Sequence, residues 1–356
     1  MIVPCLKIKA MKPKLFIGLL ASVVFIHESF SQAFSESVKP FISVQADTFA
    51  LTDVKLIDGT GGPIRNHQTI VVENGRIAHV GDNASIKIPN GIKVISCGGK
   101  TIIPGMVMMH EHMFYGESVR PFYLAVEMPV SFPALYLAGG VTTMRTTGCV
   151  EPQTDLNIKE WINERKIIGP DIDVTAPYIE RAAFLIPEVL FIKSPEEAAE
   201  EVNYWADKGC TSFKLYMNLT RADAKAAIDA AHKRGLKVTG HLNSITYREA
   251  ADLGIDNLEH GFFASSDFSS TKKKDSADYE GADNSLQQLE ENSDAMKSLA
   301  AYLISKHVAI TSTLPVFEPY SKREIFPGGA DSAVAAPIRE KVEEIYQYMA
   351  GKDSLV

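Results

Sequence analysis

Two histidines flank a glutamate in His110-Glu111-His112, and two more close apolar runs, in Lys237-Val238-Thr239-Gly240-His241 and in Asn257-Leu258-Glu259-His260. On an extended backbone side chains alternate, so His110 and His112 point to one side and Glu111 to the other. Such a pair can grip one divalent ion. By itself an H-x-H pair is a weak signal, because it also arises on surface strands. The weight comes from all four histidines falling at or near the ends of predicted strands. Lys214, in Thr211-Ser212-Phe213-Lys214-Leu215-Tyr216-Met217, adds a fifth candidate. It sits in the middle of a strand expected to be covered on both faces, where an unpaired ammonium is costly. One resolution is an ion pair with a carboxylate on a neighbouring strand. The other is that burial lowers the amine from its ordinary pKa of about 10.4, so that it takes up carbon dioxide. The resulting carbamate is an anionic oxygen ligand able to bridge two ions.

These residues need a scaffold that brings strand ends together. From about Phe49 to Ile103 the chain is β-rich and turn-punctuated, and Asn74-Gly75 between two apolar alternations is a strong hairpin signal. After Pro104 the texture becomes strand, loop and amphipathic helix in repetition, as in parallel βα units. Helix starts are marked at Ser194-Pro195-Glu196-Glu197, at Thr220 with Asp223 and at Thr246 with Glu249, and stops at Gly209, Gly235 and Gly254. The predicted strands are Ile103–Met109, Val141–Thr147, Ile172–Ile179, Ser212–Met217, Lys237–Leu242, Asn257–Phe262 and Val308–Val316. That set is one short of a (β/α)8 TIM-like barrel, whose active sites lie at the C-terminal ends of its strands. The expected division is a signal peptide over 1–31, a small β part over 48–103, and a barrel over 104–356 that lacks its last strand. A polar insertion is expected at 265–296, with Lys272-Lys273-Lys274 as an exposed tip.

Composition sets outer limits. With 46% hydrophobic and 22% charged residues the chain is globular, and a net charge of −8 argues against a nucleic-acid partner. Cys5, Cys97, Cys149 and Cys210 form no CxxC, so neither a disulfide framework nor a thiolate zinc site is expected. Lys12 and Lys14, the apolar run from Leu15 to Ile26, and Ser29 and Ser31 have the order of a secretory signal. The run is shorter than the roughly 20 residues a membrane helix needs, so export to the periplasm or beyond is expected, without a stable membrane anchor. Oligomeric state is left open.

The chain from the β-rich segment through Val316 resembles the metal-dependent amidohydrolase superfamily, most nearly its imidazolonepropionase-like and Xaa-Pro dipeptidase-like branch. The resemblance rests on Ile102-Ile103-Pro104-Gly105 leading into His110-Glu111-His112, on Gly139-Gly140-Val141-Thr142-Thr143-Met144-Arg145, and on Phe213-Lys214-Leu215-Tyr216, Thr239-Gly240-His241 and Leu258-Glu259-His260-Gly261. It implies a barrel beside a β-sandwich, holding two divalent ions, usually zinc. His110 and His112 would bind the more buried ion, His241 and His260 the more exposed one, and carbamylated Lys214 would bridge them. A hydroxide shared by the ions would then attack an amide or cyclic amide of a small substrate such as a dipeptide or an acylated amino acid, with Lys214 and His241 at the reacting centre. The family's strand-eight aspartate, which shuttles the proton, has no counterpart here. That departure points to a fragment or shortened gene product, to a chain that needs a completing partner, or alternatively to a catalytically inactive binding protein of amidohydrolase type. Tyr216 reads as packing or as a substrate-orienting ring, and Arg145 as a carboxylate receptor or a brace of the barrel floor. His67, His79, His232 and His307 are expected to be solvated.

Overall fold

A turn at Asn74-Gly75, both residues with positive φ (52° and 73°), reverses the chain between β2 (Arg65–Glu73) and β3 (Arg76–Asp82), as a two-residue hairpin requires. This computed structural model describes residues 33–119, 122–181 and 189–316, with helical positions at 340, 343, 344 and 347. The expected signal segment lies outside the described residues. In the hairpin sheet β2 also pairs antiparallel with β1 (Phe49–Leu56), while β4 (Lys93–Ser96) and β5 (Thr101–Ile102) run parallel to β1. Val54, Leu56, Ile70 and Cys97 form its core.

The barrel begins with β6 (Met106–Glu111). A hairpin of β7 (Phe114–Val119) and β8 (Phe122–Glu127) and then α1 (Ser131–Ala138) intervene before β9 (Val141–Thr146). There follow α2 (Pro152–Asn163), β10 (Asp171–Glu180), the short β11 (Leu190–Phe191), α3 (Pro195–Lys208) and β12 (Ser212–Leu215). α4 (Arg221–Lys233), β13 (Lys237–Gly240), α5 (Tyr247–Leu253) and β14 (Asn257–Glu259) continue the alternation. It ends with α6 (Tyr279–Gln287), α7 (Asp294–Ser305) and β15 (Ala309–Thr311). In the sheet the strands lie in chain order, β6, β9, β10, β12, β13, β14, β15, all parallel, with β11 added to β10. Side-chain bonds from β6 and β9 to β14 cross the interior, so the sheet is a nearly closed TIM-like barrel of seven main strands. Every predicted barrel strand is present, with ends that differ by a few residues; β10 is one residue longer at each end, and the others are shifted or trimmed.

Local chemistry places the helices as well. Ser194 accepts from the Glu197 amide at the head of α3, and Thr220 with Asp223 and Thr246 with Glu249 form reciprocal capping boxes for α4 and α5. Phe213, Leu215, Ile228, Leu242 and Leu258 are fully buried between strands and helices. The polar insertion departs from expectation. Asp275 accepts from the Arg221 guanidinium, the Asp278 amide donates to Asn243, and Lys272 donates to the Ser244 carbonyl at 2.7 Å. These contacts pin it across the ends of β12 and β13. Lys273 and Lys274 are exposed, but Lys272 is half-buried, so only part of the expected tip is free.

Candidate functional site

The structure brings together the five candidate ligands His110, His112, Lys214, His241 and His260. His110 is the penultimate residue of β6 and His112 lies just beyond the strand; Lys214 lies within β12, whose residues are all buried; His241 follows β13 and His260 follows β14. Their rings form a circuit at the C-terminal mouth of the barrel. Centroid separations are 5.3 Å for His110–His112, 4.7 Å for His110–His260 and 4.4 Å for His260–His241. Tyr216 stands 5.2 Å from His241 and 5.0 Å from Tyr178, which is 6.2 Å from His112 and completes the loop. Lys214 points toward this circuit, its Nζ 5.1 Å from the Tyr178 centroid.

Hydrogen bonds define two of the imidazoles closely. His110 Nδ1 lies 2.7 Å from Glu259 Oε2 and His112 Nδ1 lies 3.2 Å from the Gly148 carbonyl. Both partners are acceptors, so both rings carry their hydrogen on Nδ1 and leave Nε2 as a lone pair. His260 Nδ1 is 2.8 Å from Thr313 Oγ1. Anchoring of the far ring nitrogen by protein is the habit of metal-binding histidines. Gly148 is required on two counts. Its φ is 89°, and a Cβ there would come within 2.7 Å of the Tyr178 ring and 3.0 Å of Lys214 Cδ. His260 itself adopts φ 66°, a conformation rare for a residue with a side chain and a form of local strain that collects at functional sites.

Electrostatics keep the imidazoles neutral. Burial, reinforced by the Lys214 charge, depresses His110 to about 4 and His260 to about 3. His112 and His241 lie well below the ordinary histidine value, again through burial first. Burial also pulls Lys214 down to about 8, with the Glu259 charge opposing and Arg145 adding to the fall. Lys214 is 2% exposed and donates to the Thr147 carbonyl at 3.1 Å, and among the described residues no carboxylate forms an ion pair with it. Glu259 is buried, which alone would raise its pKa, yet the His110 bond and the Lys214 charge hold it at about 2.

Arg145 braces the barrel. It donates to Glu259 Oε1 at 2.7 Å and to the Met109 carbonyl at 2.9 Å, and is 8% exposed. His67 and His232 pair with Asp53 and Asp256 at or near the surface, and His79 and His307 are exposed. Glu259, Gly148 and Tyr178 were not singled out in the sequence. Glu259 carries the same signal as Lys214, an ionisable residue inside an apolar strand.

Among the described residues no set of three or more His, Cys, Asp or Glu side chains converges as a metal-holding group. The imidazoles pack against one another instead. The donor chemistry nevertheless fits divalent cations: the rings are neutral, two have a free Nε2, and an amine of lowered pKa lies beside them. As an ammonium Lys214 would repel cations, and as a carbamate it would attract them.

No family model matches the sequence. Enamidase from Eubacterium barkeri is 33% identical over 217 residues, 57% of this chain and 52% of that protein. Imidazolonepropionase from Vibrio cholerae serotype O1 is 32% identical over 103 residues, 27% of this chain and 25% of that protein. The chain thus spans a quarter to about half of these curated relatives. Among solved structures, a prolidase from Bifidobacterium longum described as putative superposes with TM-score 0.54 at 20% identity, over 85% of this chain and 68% of that one. A Xaa-Pro dipeptidase with bound methionine superposes with TM-score 0.56 at 17% identity, over 85% and 75%. At these identities the superpositions establish the fold. A parallel barrel with imidazoles at its C-terminal mouth, together with the sequence relatives, defines a member of the amidohydrolase superfamily. Within that superfamily its sequence is similar to imidazolonepropionase and enamidase, and its fold to that of a Xaa-Pro dipeptidase.

Proposed function

We propose that this chain is an exported, metal-dependent amidohydrolase that cleaves a carbon–nitrogen bond in a small substrate, such as a dipeptide, an acylated amino acid or a cyclic amide. The observation that carries the reading is the anchoring of His110 and His112 through Nδ1, which leaves two neutral Nε2 donors at the barrel mouth. In this reading His110 and His112 would hold the more buried of two divalent ions, usually zinc in such sites, and His241 and His260 the more exposed. Lys214 would serve that site as a carbamate: its amine nitrogen would bond to the carbon of carbon dioxide and release a proton to solvent, leaving an anionic pair of oxygens as metal ligands. Ions held there would supply the Lewis acidity needed to activate a water and polarise a scissile carbonyl.

The chain's own residues do the rest. Glu259 and the Gly148 carbonyl orient the two imidazoles, and burial keeps all four rings unprotonated through neutral pH. Tyr178 and Tyr216, both buried, wall the mouth beside His112 and His241. The substrate class is supported by the relatives' names, which include an enamidase and a Xaa-Pro dipeptidase. Export is supported by the ordered charged, apolar and small-residue stretches before residue 32.

Elemental analysis of protein grown with zinc should find close to two divalent ions per chain, and His110→Ala should lose most of one. The loaded protein should hydrolyse a panel of Xaa-Pro dipeptides and N-acyl amino acids. Absence of bound metal would overturn the reading; two bound ions with no turnover would favour a binding protein built on the same site.

A further inference from the structure

Glu259 is 0% exposed, and four donors converge on its carboxylate. Oε2 accepts from His110 Nδ1 at 2.7 Å. Oε1 accepts from Arg145 at 2.7 Å, from Asn257 Nδ2 at 2.8 Å and from the Thr239 hydroxyl. The division of labour is clear: one oxygen serves the histidine, and the other is held by Arg145 and by Asn257 and Thr239, which are also bonded to each other at 2.8 Å. Arg145 also donates to the carbonyl of Met109, the residue before His110. It therefore fixes the carboxylate and the strand carrying the histidine at once.

We propose that Glu259 is a positioning residue: through Oε2 it selects the Nδ1–H tautomer of His110 and fixes the ring so that Nε2 offers its lone pair to the barrel mouth. The purpose of that arrangement rests on the metal reading above, but the tautomer itself does not. Glu259→Gln makes the point sharply. An amide has a single acceptor oxygen, which the Arg145, Asn257 and Thr239 donors claim, so its NH2 faces His110. Two donors cannot share that contact. His110 must turn its Nδ1 into an acceptor and move its hydrogen to Nε2, where a cation would bind.

The test is nitrogen-15 NMR of histidine-labelled chain stripped of divalent ions, with the His110 signals assigned by their loss in His110→Asn. Wild type should show His110 as Nδ1–H, and Glu259→Gln should invert it to Nε2–H. After reloading, Glu259→Gln should hold the ion nearest His110 about 10–100-fold more weakly against a chelator. Thr239→Val removes one donor from Oε1 without touching His110, and should leave the His110 tautomer unchanged whatever it does to the melting temperature. An Nε2–H tautomer in wild type, or an Nδ1–H tautomer in Glu259→Gln, would overturn the proposal. If Glu259→Gln fails to fold, the wild-type tautomer together with its persistence in Thr239→Val supports the proposal, and an Nε2–H tautomer in either overturns it. The two readings fail separately. Tautomer inversion in a chain that takes up no metal would sink only the function, and metal uptake with no inversion would sink only the role of Glu259.

Discussion

At Gly148 the addition of one methyl group would strike a tyrosine ring and a lysine stem at the same time, in a backbone conformation that alanine adopts poorly. Its carbonyl also holds His112 in place. Gly148→Ala should therefore destabilise the fold by about 1–3 kcal/mol, the usual cost of overpacking. If the chain holds divalent ions as proposed, the substitution should also lower their retention, both readable by calorimetry and elemental analysis. Lys214 gives a second residue-level prediction. If a carbamate supplies the bridge, Lys214→Ala should empty the paired site, and Lys214→Glu, which keeps a carboxylate at shorter reach, should retain more metal; equal metal content in the two variants and wild type would count against a carbamate. Lys214 was legible in the sequence because a charge within an apolar strand demands an explanation. Glu259 posed the same demand one residue before a candidate ligand. Its answer lies in partners 149 residues away along the chain at His110 and 114 away at Arg145, which no local pattern contains.

Among the elements, the β7–β8 hairpin shows where such patterns stop. Asn74-Gly75 marked the first hairpin because its turn type needs those residues, whereas no comparable pair joins β7 to β8, and the hairpin was not among the predicted strands. Helices α3, α4 and α5, by contrast, were legible at both ends, since capping is a local matter of a few residues. The new hairpin ends in a notable group. Both carboxylate oxygens of Glu127 are shielded from solvent without a hydrogen-bond partner of good geometry. Burial first, then the charges of Asp155 and Glu151, raise its pKa to about 8. Asp155 is itself raised to about 6 by burial, and accepts from the Cys149 thiol at 2.6 Å. A carboxyl raised above its ordinary value of 4.5 in the fold favours the native state when protonated. Its contribution is full below that value and is lost as pH rises through about 8. Glu127→Gln should therefore melt higher than wild type at pH 8, with the gap closing toward pH 5; a gap independent of pH would show that Glu127 does not titrate in this window.

For the whole molecule, strand order is the governing fact. Among the described residues no strand pairs with the outer edge of β6 or of β15, and Met106, Val107 and Met109 on β6 are each more than two-fifths exposed. Amide hydrogen exchange should accordingly be slowest in β12 and β13, which have neighbours on both sides and buried side chains, and faster in β6 and β15. Uniform protection along the sheet would contradict this. The same order bears on how the chain folds. Neighbouring strands and helices can form as they follow one another, but the bond between His110 and Glu259 spans 149 residues and exists only once six strands have wrapped around. Contacts of such separation are reached late, because the entropy of closing the intervening loop is lost before they give anything back. If the site takes divalent ions as proposed, their uptake during refolding should then lag the return of helical ellipticity, so that metal capture would serve as a clock for barrel closure.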